Sequence, residues 1–147
     1  TLAETGHLVM STLHTNSAHQ SITRMIQVFP ADYQDQVRLQ LSMCLEGIIT
    51  QSLIERADRA GRGLALELML PNPSIRNLIR ENKLFQIPSA MLVGQDKSGM
   101  TTLNQSLVSL VRRGIITYDS ALLASPEQDD LIKSLSDLRR RTMPRRT

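Results

Sequence analysis

The chain has almost nothing with which to cross-link itself, no tryptophan, and few aromatic rings of any kind. Its 147 residues include one cysteine, two tyrosines and two phenylalanines, 3% aromatic against 41% hydrophobic. A lone Cys44 excludes an internal disulfide and a thiolate zinc cage, and leads us to expect a reducing compartment. The core must then be aliphatic, built from Leu, Ile, Val and Met. No apolar run approaches the ~18 residues of a membrane span, and the first residues lack the basic-then-apolar layout of a signal peptide. Also missing is any G-x-x-x-x-G-K-S/T loop, whose backbone N–H groups would cradle a nucleotide's phosphates. The length suits one domain with its own core, or a piece of a larger one.

Positive charge is scarce where a nucleic-acid surface would need it. The isoelectric point is about 9.5, yet Arg139, Arg140, Arg141, Arg145 and Arg146 crowd into the end of the chain. Taking these five from the 17 basic residues leaves twelve against 14 acidic ones over residues 1–138, a net of −2. A nucleic-acid-binding domain carries its positive face on the fold, so no nucleic-acid partner is expected. Residues 139–147 are expected as a solvated, disordered tail.

The apolar residues that are present fall into short, well-punctuated segments. Leu8 to Leu13 is a mostly apolar run between Gly6 and Thr15-Asn16-Ser17, too short for a helical period, and it predicts a buried parallel strand. Ser17 with Gln20 forms a capping box for a helix carrying Ile22, Met25 and Ile26, which Phe29-Pro30 stops. From Asp32, Val37, Leu41, Cys44, Leu45 and Ile48 recur at helical spacing. Ile49–Arg56 and Gly63–Leu70 read as two strands around the polar loop Ala57–Arg62. Beyond them the pattern is helical. Asn72 caps a helix with Pro73 first, and a second piece runs from Lys83 to about Val93, before a break at Gly94–Gly99. A further helix carries Leu103, Leu107 and Leu110 and ends at Gly114, with Ile115 set for the C-cap contact. Ser125–Gln128 reads as another capping box, with Asp129 and Asp130 in the first turn of the last helix. The expected organisation is α/β over residues 1–70, a helical subdomain over 71–138 and the basic tail over 139–147.

His14 is the residue most suited to chemistry. It sits at the carboxyl end of the expected strand, where open α/β sheets bind ligands, beside the hydroxyls of Thr12 and Thr15. An imidazole there can donate to a γ-phosphate oxygen and lose that partner after hydrolysis. His7 lies at the other end of the strand, on the opposite face, and ranks below it. His19 on the following helix could approach His14, but two imidazoles alone make a poor metal site, so no metal centre is expected. Arg24 is a candidate for stabilising transition-state charge, often supplied across subunits in motor ATPases. In Ile75–Glu81, Ile75, Leu78 and Ile79 explain themselves as core. Arg76 and Arg80 form a like-charge i,i+4 pair that stability alone does not favour.

Together these segments resemble the retraction ATPases of bacterial type IV pili, the PilT family. The resemblance rests on the box Thr5–Ser17, RMIQVFP at Arg24–Pro30, Leu64-Ala65-Leu66-Glu67, IRNLIRE at Ile75–Glu81 and GMTTLNQSL at Gly99–Leu107. The histidine box is shared with secretion and pilus-assembly ATPases, whereas IRNLIRE is far more specific, and in the family it is needed for retraction rather than for ATP hydrolysis. Assembly ATPases usually carry four cysteines after the strand matching Ile49–Arg56, and this chain has none there. Glu46 departs from the family, which often has arginine at that position, and Asn104 replaces a common Asp.

The resemblance implies the C-terminal part of a RecA-like P-loop ATPase domain with few strands, followed by an all-helical subdomain. It implies His14 as γ-phosphate sensor, Thr12 and Thr15 near nucleotide, and Ile75, Arg76, Asn77, Leu78, Ile79, Arg80 and Glu81 as a retraction or partner motif. The implied parent is a homohexameric, ATP- and magnesium-dependent motor at the cytoplasmic face of the inner membrane, working on the pilus machinery. Lacking the phosphate loop, this chain alone is expected to be inactive. The alternatives are a pilus-assembly or type II secretion ATPase, or a non-enzymatic helical interaction module.

Overall fold

Side chains that accept backbone N–H groups decide where this chain turns into helix. In the computed structural model, which describes residues 2–93 and 99–142 with side chains through Ser136, Ser17 is extended and accepts the Gln20 N–H at 3.3 Å. That cap starts α1, Ala18–Gln27, which buries Ala18, Ser21, Ile22 and Ile26 and ends just before Phe29-Pro30. Pro30, which cannot continue a helix from its N–H, leads into α2, Ala31–Cys44. Strands β1, Ile48–Glu55, and β2, Arg62–Met69, then pair as a two-stranded hairpin. The inward positions of β2 alternate as Gly63, Ala65, Glu67 and Met69, the period of two that a half-buried strand requires. Asn72 accepts the Ile75 N–H at 2.9 Å and opens α3, Pro73–Arg80. A 3-10 turn, Leu84–Gln86, feeds α4, Ile87–Leu92. Three helices follow: α5, Leu103–Arg112; α6, Tyr118–Ala124; and α7, Gln128–Thr142.

Two compact units divide these elements, and the hairpin is threaded through both. Unit one comprises Thr1–Thr50 and Glu67–Thr102. Its core gathers Ile22, Met69, Ile75, Ile79, Ile87 and Met91, all essentially without solvent contact. Each such side chain stabilises the fold by roughly 1.5–3 kcal/mol through burial. Unit two comprises Gln51–Leu66 and Leu103–Thr147. Leu107 and Leu131 are its most buried large residues, packed with Ile54, Ala65, Leu103 and Ile116. Its helix α5 closes with Gly114 at φ 67°. There the Ile115 N–H reaches Leu110 O and the Gly114 N–H reaches Val111 O, each at 2.9 Å. Those paired bonds make the left-handed C-terminal cap that only a residue without Cβ adopts freely.

The run Leu8–Leu13 is not a strand. It is exposed along its length, Leu8 and Met10 each at 87%. A strand needs a neighbour to take its backbone groups, and among the described residues β1 pairs with β2, and Leu68 of β2 bridges to Thr101, with no pairing to Leu8–Leu13. Apolar composition alone cannot reveal whether that neighbour exists. Ser125 ends α6 instead of opening α7: its hydroxyl accepts the Glu127 N–H at 3.1 Å and donates to Asn104 Oδ1 at 2.7 Å. Helix α6 had no counterpart in the sequence reading, although Thr117 caps it by accepting the Ser120 N–H. The division into units does not coincide with a boundary after residue 70. Residues 139–142 are helical backbone in α7, while 143–147, like the expected break over 94–98, lie outside the described residues.

Candidate functional site

The histidine box is an exposed segment anchored at both ends. Upstream, a 3-10 turn, Ala3–Thr5, ends at Gly6 with φ 88°. The Thr5 hydroxyl donates to Leu2 O at 2.8 Å and lies 3.0 Å from His7 Nδ1. The Thr5 hydroxyl thus ties the His7 ring to the turn that precedes the box. Downstream, Ser21 donates to Ser17 O at 2.9 Å, and Thr15 and Ser21 share a hydroxyl contact of 2.7 Å. His19 Nδ1 lies 3.1 Å from Ser17 Oγ. Thr12 and His14 lie between these anchors, exposed and without a hydrogen-bond partner among the described residues. Arg24 is likewise exposed on α1. No hydrogen bond joins His7, His14 and Arg24 to one another.

The start of α1 is closed by a residue that sequence reasoning missed. Glu67, 8% exposed on β2, accepts the Ala18 N–H on Oε1 at 2.6 Å. A carboxylate there answers both the unpaired donor and the positive end of the helix dipole. Ala18 is thus held by Glu67 and Gln20 by Ser17, so two of the open donors of this helix start are satisfied within the chain. The signal for Glu67 was present in the sequence as an acid at an inward position of an otherwise apolar strand.

The second region is α3. Ile75 and Ile79 have no exposed surface, whereas Leu78, expected in the core, is half-buried against it. Arg76 is not a free surface charge. Its Nη1 donates to Ser42 O and Met43 O, each at 3.0 Å, and Nη2 reaches Glu46 Oε1 at 3.4 Å. The guanidinium therefore takes up carbonyls left open at the C-terminal end of α2. Glu46, which stands where the family often has arginine, thus faces Arg76. Arg80 is exposed and among the described residues donates only to Asn77 Oδ1, at 2.8 Å. Glu81 bonds Lys83 at 2.7 Å and Asn77 at 2.8 Å, and these donors, the lysine first, hold its carboxyl below the usual range. The arginine pair is thus split, with one head engaged on α2 and the other presented to solvent. Among the described residues no three His, Cys, Asp or Glu side chains gather in a way that could hold a metal ion. No described helix is long and apolar enough to cross a membrane.

An α/β piece with this box and this motif helix defines a class, and the chain belongs to the type II/IV secretion system protein family, whose model matches residues 1–83. It is similar to a twitching motility protein of Neisseria gonorrhoeae, 49% identical over 121 residues, covering 82% of this chain and 32% of that one. The type IV pilus retractation ATPase PilT of Pseudomonas aeruginosa is 47% identical over 121 residues, covering 82% of this chain and 35% of that protein. Among solved structures, the pilus retraction motor PilT with bound ADP superposes with a TM-score of 0.77 at 48% identity, over 88% of this chain and 36% of that chain. The chain spans about a third of the length of these relatives.

Proposed function

We propose that this chain is the output half of the motor domain of a ring-forming ATPase that powers type IV pilus retraction, and with it twitching motility. The supporting observation is that one family match, residues 1–83, runs through both the histidine box and the motif helix, while the likeness to the PilT motor covers 88% of the chain. In this reading the parent is a homohexamer at the cytoplasmic face of the inner membrane, acting on the pilus machinery there.

Magnesium-bound ATP, held by residues outside this chain, supplies the hydrolysable γ-phosphate. His14 donates a hydrogen bond toward that phosphate, and Thr12, with its unengaged hydroxyl, flanks it. Thr15 is tied to Ser21 and fixes the join between box and helix. His7 presents a ring nitrogen at the exposed start of the box, and Arg24, exposed on α1, offers positive charge to a neighbouring subunit's nucleotide. Motion of the box passes into α1, which packs on α2, and Arg76 ties the end of α2 to α3. Asn77, Arg80 and Glu81 then form the polar face that meets the retraction partner, with Ile75, Leu78 and Ile79 holding the helix in place.

The test is His14→Ala in the full-length protein. Hydrolysis should fall about tenfold or more, or retraction should stop while hydrolysis continues, with the melting temperature unchanged. Wild-type hydrolysis together with wild-type retraction would remove His14 from the mechanism.

A further inference from the structure

Residues 64–67 and 99–107 carry part of the family resemblance but have no role in the proposed motor. In the structure these segments meet at the end of β2. The Leu68 N–H donates to Thr101 O at 2.8 Å, and the Thr101 N–H returns to Leu68 O at 3.0 Å, an antiparallel bridge. The residue just before that bridge is Glu67. It takes an inward position in the alternation of β2, next to Met69, which has no solvent contact and packs in the core with Ala18, Ile22 and Ile26. From there its Oε1 accepts the Ala18 N–H.

Ala18 is the joint between the histidine box and α1, four positions beyond His14. The bonds around it from the box side are local. Ser17 accepts from Gln20, Ser21 donates back to Ser17 O, and Thr15 meets Ser21 across six positions. The Glu67 bond spans 49 positions. Ser17, Ala18, Ser21 and Glu67 are all buried, so the downstream anchor of the box is a closed polar cluster that a β2 carboxylate completes. Every member, and the Leu68–Thr101 bridge, belongs to unit one.

Burying a carboxylate costs more than burying an amide or hydroxyl, either of which can accept the same N–H. Ser17 already gives α1 an N-cap of its own. What the acid adds is a charge-assisted bond, about twice as strong as a neutral one. That added strength serves a junction that has to hold its shape while the box changes its contacts with phosphate.

We infer that Glu67 is a positioning residue for His14. It fixes the start of α1 to β2, so that movement of the box is carried into β2 and its Thr101 bridge instead of being absorbed by fraying of the first helical turn. The inference rests on the proposed role of His14 at the γ-phosphate, and names a further residue through which that role works.

A double-mutant cycle in the full-length protein tests it, read as kcat and KM for magnesium-ATP. Glu67→Met keeps the length of the side chain and removes the acceptor, whereas Glu67→Gln keeps an acceptor. The methionine variant should lower kcat about tenfold with KM within about twofold, because the group it misplaces acts on the reacting phosphate. The glutamine variant should recover most of that loss. Added to His14→Ala, Glu67→Met should cost little more, since both changes remove one interaction. Losses that multiply, or a methionine variant with wild-type kcat and retraction, would overturn the inference and leave His14 in place. A His14→Ala protein that hydrolyses and retracts like wild type would instead remove the reading beneath it. Hydrogen exchange on the wild-type protein decides the case in which Glu67→Met does not fold. Adding magnesium-ADP should change exchange over residues 14–21 and 66–69 together, and a response confined to the box would overturn the link.

Discussion

Substituting Arg76 removes the donor to two carbonyls at once. Arg76→Ala should cost about 1–2 kcal/mol, because Ser42 O and Met43 O lose a charged partner in a half-buried setting. The loss should appear first as faster amide exchange in the last turn of α2, and unchanged exchange there would refute the clamp. Arg80→Ala, which frees only Asn77, should leave stability within about 0.5 kcal/mol. Glu81 gives a pH-dependent counterpart. Its folded carboxyl titrates below the usual range, so the stability it contributes is present above the unfolded pKa and is lost as pH falls through the folded one. Lys83→Met should raise the Glu81 titration toward the ordinary carboxylate value, observable by carbon-detected NMR.

Helix α3 depends on its buried face. Ile79→Ala should cost about 2–5 kcal/mol in chemical denaturation, and Leu78→Ala less, since Leu78 is already half-exposed. A larger loss at Leu78 would contradict the packing. Local chemistry made much of this element legible in the sequence: Asn72 and Pro73 fixed its start, and Ile75 and Ile79 its inward stripe. Similarly, Ser17 announced α1 and Gly114 the end of α5, because caps are written within a few residues of where they act. Contacts distant in sequence were not legible. Arg76 meets α2 33 and 34 positions away and Glu67 meets Ala18 across 49, and neither spacing leaves a periodic trace. Leu8–Leu13 shows the same limit from the other side, since an apolar run has strand composition whether or not a pairing strand lies beside it.

At the scale of the whole chain, the missing phosphate loop bears on ligand binding. Calorimetry with magnesium-ATP should show at most weak affinity for residues 1–147, because they contain no G-x-x-x-x-G-K-S/T loop whose N–H groups would hold the phosphates. Micromolar binding would show that a phosphate cradle exists in this segment after all. The threaded hairpin has a consequence of a different kind, for how the chain can be made and cut. Unit two needs Ile54 and Ala65 to complete the core around Leu107 and Leu131, yet these residues leave the ribosome well before the helices they serve. Unit one in turn waits for Met100 to join Ile22 and Ile75. Unit one has all its residues once position 102 is made, whereas the strand segment of unit two must wait for its helices, and a stop codon or protease cut after residue 102 strips unit two of those helices while leaving the strand segment stranded. Swapping either unit between relatives would therefore take three crossover points rather than one.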